Sequence, residues 1–398
     1  GVTLSLNELG MLPTRNFRYG YFEGAEEISG EKLKETILVG QGTCRACFIR
    51  CKREGKVVEP YQVDPRYGGP EYETIAALGS LLEIGDLKAI SRANQLCGMY
   101  GMDTISLGTT LAFAMECYED GILTKKDTGG IDLRFGSAEA LLEIIEMVAK
   151  REGIGDLLAE GVKRAAERIG KGSDRYALHV KGQPLPMHEP RAKQGLALAY
   201  AVSPTGADHL EHPHDPCFET DELMKNVHPL GLLDRVPSLD LSEKKVRLFI
   251  YLQHYYNLVN SIGMCLLTLQ PYTDAFTITH LVDITRATTG WDTSLWEMLK
   301  VGERFSNMAR IFNLREGITS ADDILPERLF EPLEGGILKG EALDREEFFE
   351  ARRKYYGMMG WNPDTGIPSS YKLMELDLDW LLNDLKVIES SVSSKSLK

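Results

Sequence analysis

Features that would place a protein in a membrane or on nucleic acid are missing from this 398-residue chain. No segment approaches twenty uninterrupted apolar residues, so a membrane-spanning helix is not expected. No charged-then-apolar signal peptide opens the chain. Long basic runs are also lacking and the formal net charge is −14, which argues against phosphate backbones and anionic lipids as partners. We therefore expect a cytoplasmic protein that binds neither nucleic acid nor membranes.

Cysteine is scarce, with seven residues in all, and this odd number does not suggest a framework of disulfides. Three of the seven cluster as Cys44-x2-Cys47-x3-Cys51, which fits a reducing compartment and metal ligation. If the segment is a loop-to-helix turn, the first two cysteines can face one metal and the third follows one turn later. This spacing suits three corners of a cuboidal iron–sulfur cluster.

The fourth ligand of such a cluster must come from far along the chain. Cys265 is the best candidate, because Gly263 just before it lets the backbone approach a cluster closely. A structural zinc site is the alternative, since three or four thiolates also bind zinc. Zinc sites usually pair two C-x2-C motifs, whereas this sequence has one, so the pattern favours the iron–sulfur cluster.

Alternating strand patterns are scarce, and helical periodicity runs through most of the chain after residue 70. Capping residues predict several helix starts: Asp86, Asp103, Asp156, Ser137, Thr277 and Ser294. The pattern predicts a mainly α, multihelical fold in two helical lobes. Residues 1–175 would form a helical domain with the cysteine loop, and residues 176–398 a second helical domain with a histidine-rich loop and the fourth cysteine.

Two further expectations concern order and burial. The tail Ser390–Lys398 should be disordered, and the glycine at position 1 suggests a fragment of a longer protein. The large aromatic residues of the second half are expected in the core, namely Trp291, Tyr355, Tyr356 and Trp361. Cysteines outside the cluster are expected to be buried small hydrophobic residues: Cys97, Cys117 and Cys217.

Several short motifs follow one another in a characteristic order. After the cysteine triplet come Gly69-Pro-Glu-Tyr-Glu-Thr74, Gly101-Met-Asp-Thr-Ile-Ser106, Ser203-Pro-Thr-Gly-Ala-Asp-His209, Asn260-Ser-Ile-Gly-Met-Cys265, Phe312-Asn-Leu-Arg-Glu-Gly317 and Gly360-Trp-Asn-Pro-Asp-Thr-Gly-Ile-Pro368. Each motif is weak alone, but the series is highly specific. Together they resemble the tungsten-containing aldehyde ferredoxin oxidoreductases, and specifically the two helical C-terminal domains of that family.

The resemblance implies an anaerobic oxidoreductase that binds tungsten or molybdenum between two pyranopterins, beside a 4Fe-4S cluster. Such an enzyme would oxidise an aldehyde, or a related carbonyl compound, to a carboxylate and pass the electrons to ferredoxin. The implied partners are ferredoxin, a small-molecule aldehyde, and an amino-terminal pterin-binding domain or subunit; a homo-oligomer is also open. Arg304, Arg310 and Arg315 would either contact an acidic ferredoxin or form a solvated helix face.

The family's functional residues can be carried over position by position. The four cluster ligands would be Cys44, Cys47, Cys51 and Cys265. The pterin contacts would be Met102, Asp103, Asn260, Met264 and Leu266. Glu73 and His209 resemble the residues beside the metal, where one side chain accepts the released proton and the other binds the carbonyl oxygen.

Alternatives to these assignments remain. Glu73 could instead be a carboxylate stabilised by a helix N-terminus, a role for which Glu71 competes. His188 and Glu189 would either line a substrate channel or form a rigid surface turn. The histidine-rich loop could bind a divalent metal through His209, His212, His214, Asp208 and Asp215.

Two alternative functions also stay open. Thr205 and Glu211 stand where the family has basic residues, which would suit a benzoyl-CoA-reductase-like member of the same superfamily. The other alternative is an iron–sulfur electron-transfer subunit without a pterin site of its own.

Overall fold

The structure is a computed structural model that describes residues 1–270 and 276–395, with side chains as far as residue 390. The chain forms two compact units, one made of Gly1–Ala192 and Pro326–Ala342, the other of Lys193–Leu325 and Leu343–Lys398. Helices dominate both units, which confirms the predicted mainly α fold in two lobes. Within the described residues, no helix combines the length and apolarity needed to cross a bilayer.

The first unit holds both described pairs of strands and the helices of the first half of the chain. Its helices are α1 (Val2–Glu8), α2 (Gly30–Thr36), α3 (Tyr72–Leu78), α4 (Leu87–Tyr100), α5 (Thr104–Glu119), α6 (Ala138–Lys150), α7 (Ile154–Leu158) and α8 (Gly161–Ile169). Its strands form two antiparallel pairs. One joins β1 (Leu38–Gly42) to β2 (Lys52–Gly55), and the other joins β3 (His179–Val180) to β4 (Gln183–Pro184). Residues 176–192 thus belong to this unit, whereas the predicted domain boundary lay between residues 175 and 176.

The second unit is built from helices joined by loops. Its helices are α9 (Gln194–Val202), α10 (Asp221–Met224), α11 (Glu243–Ser261), α12 (Leu266–Leu269), α13 (Ile278–Thr289), α14 (Leu295–Arg315), α15 (Arg345–Met358), α16 (Ser370–Glu375) and α17 (Leu382–Lys395). Helix α17 includes residues 390–395, so the expected disorder was wrong there, and residues 396–398 lie outside the described residues.

Local capping explains most helix starts. Asp86 accepts hydrogen bonds from the N–H groups of Lys88 and Ala89 at the start of α4, and Ser137 accepts one from Ala140 at the start of α6. Thr277 opens α13 with a full capping box. These starts agree with the sequence predictions. The single helix expected after Asp156 is instead split into α7 and α8, because Gly161, the first residue of α8, has left-handed backbone (φ +80°).

In each unit, a glycine allows two helices to pack closely where they cross. Gly108 of α5 lies against α3, where an added Cβ would come within 2.3 Å of the Ala77 carbonyl oxygen. Gly302 of α14 lies against α11 in the same way, with the His254 carbonyl oxygen 1.9 Å from an added Cβ. Any larger residue would separate these helix pairs, so the two glycines set the packing on which the site residues depend.

The return segment Pro326–Ala342 completes the first unit through one buried ion pair. Arg328 donates to both carboxylate oxygens of Glu116 on α5 at 2.7 and 2.8 Å, and it also donates to the Asn16 carbonyl at 2.9 Å. Glu116 is 4% exposed and Arg328 is 9% exposed. A paired and hydrogen-bonded charge of this kind tolerates burial, whereas either partner alone would not.

Candidate active site

The cysteine triplet lies in the connection between β1 and β2, in the first unit. Cys44 and Cys51 are exposed, Cys47 is half-buried, and all three are free thiols. The Cys47 N–H donates to the Cys44 carbonyl at 3.1 Å, which closes a turn between them. The expected loop-to-helix turn was wrong, because Ala46 and Arg50 have φ of 59° and 52° and interrupt any helix. Three accessible thiols in one hairpin loop fit an iron–sulfur cluster as a donor set.

Cys265 lies in the second unit, directly after α11. Gly263 has left-handed backbone (φ +72°) where the chain leaves α11, and Cys265 then precedes the first residue of α12. The thiol is free and exposed. Its accessibility suits a metal ligand, while its grouping with the triplet stays a prediction.

The predicted pterin contacts occupy different environments. Met102 and Asp103 line a cleft of about 340 Å³ in the first unit, between α5 and α6–α8. Asp103 also caps α5 by accepting a hydrogen bond from the Ser106 N–H at 2.6 Å. A larger cleft of about 690 Å³, in the same unit, is lined by none of the predicted site residues.

In the second unit, Asn260 is exposed at the end of α11, so its amide is available to a ligand. Met264 is half-buried and packs against the hydrophobic core of the unit, and Leu266 is one of the buried residues of that core. Asp103 and Asn260 therefore fit a hydrogen-bonding role towards a pterin, whereas Leu266 fits a packing role.

Glu73 sits in the first turn of α3 with its carboxylate largely shielded, at 17% side-chain exposure. One oxygen, Oε2, accepts a hydrogen bond from the Met187 N–H at 2.8 Å. The other, Oε1, lies 2.9 Å from Nε2 of His188. Glu71, the competing carboxylate, is exposed and pairs with Arg53 instead. Glu73 is therefore the one of the two whose side chain points to a buried polar partner.

The segment Pro186–Pro190, which contacts the side chain of Glu73, is a buried turn. The Tyr72 hydroxyl donates to the Met187 carbonyl at 2.5 Å, so this peptide is held on both sides by neighbouring residues of α3. His188 is 4% exposed and Glu189 is fully buried. Of the two alternatives for His188 and Glu189, the surface turn was wrong because both residues are buried, and the substrate channel stays a prediction. Sequence reasoning missed the pairing of His188 with Glu73, because no local pattern joins residues so far apart.

His209 lies in the second unit, in the loop after α9, and its side chain is half-buried. Asp208 forms a turn around it by accepting a hydrogen bond from the Leu210 N–H at 2.8 Å. The start of the loop is held from α14, where the Asn313 amide donates to the Pro204 carbonyl at 2.8 Å. A helix therefore positions the loop that presents the histidine.

The far end of this loop is anchored by a buried ion pair. Asp215 and Lys245 are both fully buried and in contact. Asp215 also accepts hydrogen bonds from the N–H groups of Gly195 and Leu196, each at 3.0 Å, at the start of α9. His212 is fully buried between Phe218 and Phe249. This structural use of Asp215 and His212 does not favour the divalent metal site considered for the loop.

Glu211, two residues after His209, is a buried carboxyl group without a cationic partner in the described residues. It is 7% exposed, and the Gln253 side chain donates to it at 3.2 Å. Burial, and secondarily the charge of Asp208, raises the pKa of Glu211 to about 7. The group is thus half-protonated near neutral pH.

The stability of the second unit should therefore depend on pH through Glu211. The pKa of Glu211 in the folded protein exceeds its ordinary value of 4.5. The protonated carboxyl group therefore stabilises the fold fully below about pH 4.5, and this contribution to the free energy of unfolding is lost as pH rises through 7. Relative to wild type, Glu211→Gln should raise the free energy of unfolding by about 3 kcal/mol at pH 8 and by little at pH 5. Urea unfolding at both pH values measures this difference, with Glu222→Gln on the exposed surface as control. A wild-type-to-variant difference that is equal at both pH values would contradict the assignment.

Comparison with known proteins supports the family resemblance that the motifs suggested. Residues 1–378 match the family model of aldehyde ferredoxin oxidoreductase, domains 2 and 3. The tungsten-containing aldehyde ferredoxin oxidoreductase of Pyrococcus abyssi is 39% identical over 379 residues, which cover 94% of this chain and 58% of that protein. The aliphatic sulfonate oxidoreductase, WOR-like subunit, of Pyrococcus furiosus is 29% identical and is matched over 96% of this chain and 57% of its own length.

A solved structure shares the fold. The BamBC active-site complex of benzoyl coenzyme A reductase, bound to 1,5-dienoyl-CoA, aligns with a TM-score of 0.73 over 97% of this chain and 60% of that chain, at 20% identity. The chain spans about 58% of the length of the tungsten-containing relatives. The family model covers nearly all of it, and the chain therefore belongs to the aldehyde ferredoxin oxidoreductase family, in which it corresponds to domains 2 and 3.

Proposed function

We propose that this chain is the helical part of a cytoplasmic tungsten or molybdenum oxidoreductase that oxidises an aldehyde to a carboxylate. The reaction is RCHO + H₂O → RCOO⁻ + 3H⁺ + 2e⁻, and the two electrons go to ferredoxin. The observation that carries the proposal is the shielded carboxylate of Glu73 in a chain that also keeps four accessible thiols for a cluster. Family membership over residues 1–378 supports the same reaction class.

Each proposed residue has a role that its surroundings allow. His209, held in its loop by Asp208, would donate a hydrogen bond to the carbonyl oxygen and so polarise the carbonyl carbon. Glu73, held by the Met187 N–H, would accept a proton released in the reaction. The two residues lie in different compact units, so their meeting at one site belongs to the proposal.

The cofactors would be held by residues already described. The thiolates of Cys44, Cys47, Cys51 and Cys265 would hold a four-iron cluster. Asp103 and Asn260 would contribute hydrogen bonds to a pterin, and an amino-terminal domain or subunit would supply the remaining contacts. When bound, the pterin-held metal would supply the redox change at the carbonyl carbon, and the cluster would carry the electrons away singly.

A second candidate function is reduction of an aromatic acyl-CoA. Glu211 supports it, because this buried carboxyl group stands where the resemblance expects a basic residue. Turnover with a viologen dye separates the two candidates, since a panel of aldehydes tests the first and an aromatic acyl-CoA tests the second.

Metal content tests the cluster directly. Anaerobically reconstituted chain should bind about four iron atoms, and Cys265→Ala should leave a three-iron form that oxygen destroys readily. Iron analysis and electron paramagnetic resonance measure both results. Cys217→Ala is the matched control, because Cys217 lies in the same unit as Cys265 but is half-buried in its core.

Stoichiometric zinc without iron in the reconstituted chain would overturn the cluster assignment. A complete enzyme that binds iron but neither tungsten nor molybdenum would favour the electron-transfer subunit over both catalytic functions.

A further inference from the structure

A lone carboxylate is poorly suited to hold a proton at neutral pH. An isolated glutamate has a pKa near 4.3, so it would release an accepted proton quickly into neutral solution. General bases work best when their proton affinity is close to the operating pH. The structure therefore raises the question of which neighbouring group adjusts the proton affinity of Glu73.

His188 is the neighbour in the right place. Its Nε2 lies 2.9 Å from Oε1 of Glu73, and both side chains are mostly shielded from solvent, at 5% and 17% exposure. The imidazole ring is also placed by its contact with the Tyr72 ring, with centroids 5.4 Å apart. Carboxylate and imidazole thus form a pair at hydrogen-bonding distance inside one unit.

The turn that carries His188 is fixed from both ends. Tyr72 and Glu73 hold the two polar groups of the Met187 peptide. On the other side, the buried Glu189 side chain binds the guanidinium of Arg191, which in turn donates to the carbonyl of Glu331 at 3.0 Å. A residue placed by this many contacts keeps its geometry without extra ordering cost during a reaction.

We propose that Glu73 and His188 act as one proton-accepting pair, in which Glu73 takes the proton from the substrate and His188, a positioning residue that acts through Glu73, keeps it within the pair. In the resting pair, the imidazole is neutral with Nε2 unprotonated, the Glu73 carboxylate is charged, and the net charge is −1. Glu73 accepts one proton released from the substrate and passes it from Oε1 to Nε2 of His188, which gives imidazolium and carboxylate with a net charge of zero. That proton later leaves to solvent, so the pair is regenerated.

When two titratable groups interact this closely, a measured pKa describes the pair and not either residue alone. The imidazolium is favoured beside a carboxylate, so Glu73 should raise the pKa of His188 relative to the same histidine without the carboxylate. Burial of the imidazole opposes this effect, whereas the neighbouring charges of the first unit do not. Glu189 is neutralised by Arg191, Glu71 pairs with Arg53, and burial keeps the Tyr72 phenol protonated by raising its pKa well above the usual value.

The pair can be tested in the 398-residue chain without any cofactor. Nuclear magnetic resonance of chain labelled at the histidine ring carbons measures the pKa of His188, with His188→Gln used to assign the signal. We expect this pKa to be lower in Glu73→Gln than in wild type, by about one unit or more. Glu71→Gln, two residues away and exposed, should leave the value unchanged. An unchanged His188 titration in Glu73→Gln would overturn the pair.

The catalytic part of this inference rests on the proposed function and needs the complete enzyme. His188→Gln should lower kcat at least tenfold with little change in KM. It should also move the ascending limb of the pH profile of kcat/KM to lower pH, towards the range of a lone carboxyl group. A profile that keeps its midpoint would overturn the role in turnover. If wild type turns over no aldehyde, the proposed function fails, while the resonance experiment still decides the pair.

Discussion

Replacing Glu73 by glutamine or His209 by alanine should lower turnover by roughly a hundredfold or more in enzyme that carries its metal and pterin, which is the usual contribution of general acid–base help. Glutamine preserves the size of Glu73 and can still accept the hydrogen bond from the Met187 N–H, but it cannot take up a proton. Alanine at position 209 removes the donor that the Asp208 turn presents.

The measurement is dye-linked turnover with a panel of aldehydes, together with iron content to show that the cluster is intact. The double variant should lose less than the product of the single losses, because residues that act on one substrate are not independent. Glu71→Gln and His228→Ala change exposed residues of the same types and should keep full turnover. Full turnover in either test variant would remove that residue from the site.

Replacing Asp215 by alanine should destabilise the second unit by about 3–5 kcal/mol, the usual cost of breaking a buried ion pair. The change would leave the Lys245 ammonium buried without its carboxylate and would remove the acceptor from two N–H groups at the start of α9. Burial by itself raises the pKa of Asp215, but Lys245, His212 and these hydrogen bonds outweigh burial and lower it. The carboxylate therefore stabilises the fold above the ordinary pKa, and its contribution is lost as pH falls through the lowered folded pKa.

The neighbouring lysine provides the matched control. Lys244 pairs with Asp234 at 3.1 Å, but both side chains are more than half exposed, so Asp234→Ala should cost less than about 1 kcal/mol. Amide hydrogen exchange in α9 reports on the second unit alone, which avoids assuming that both units unfold together. The double variant Asp215→Ala with Lys245→Met should recover much of the loss. Equal effects of Asp215→Ala and Asp234→Ala would contradict the argument.

Local rules predicted local features well. The helix starts after Asp86, Ser137 and Thr277 follow from side-chain caps that act over two or three residues. The same reasoning failed at Gly161. Its left-handed backbone divides into two helices a segment whose hydrophobic pattern continues without a break.

Burial depended on partners that the sequence does not specify. Tyr355, Tyr356 and Trp361 lie in the core as predicted, but Trp291 is 68% exposed, so that prediction was wrong. Arg310 was expected on a solvated or ferredoxin-facing surface, yet it is 4% exposed and binds Asp323 at 2.8 Å. Hydrophobicity and charge alone cannot distinguish these cases, because each outcome was decided by a residue or surface distant in sequence.

In the candidate site, too, short local patterns could be recognised from the sequence, whereas contacts between distant residues could not. The cysteine triplet and the motif containing Glu73 could be recognised as short patterns. The partners of Glu73 could not, because Met187 and His188 come from a turn more than a hundred residues later. Glu211 was noted only as a departure from the family pattern, and its burial became evident from its contact with Gln253 on α11.

The discontinuous first unit has a consequence for synthesis on the ribosome. Glu116 leaves the exit tunnel long before Arg328, since the residues from Lys193 to Leu325 are made between the two parts of the unit. At roughly 5–20 residues per second, the wait lasts on the order of ten seconds. During that time the carboxylate of Glu116 and the carbonyl of Asn16 lack the Arg328 guanidinium that binds both in the finished protein. The nascent first unit therefore cannot reach its final interior until Pro326–Ala342 has been made, which happens only after Lys193–Leu325 of the second unit.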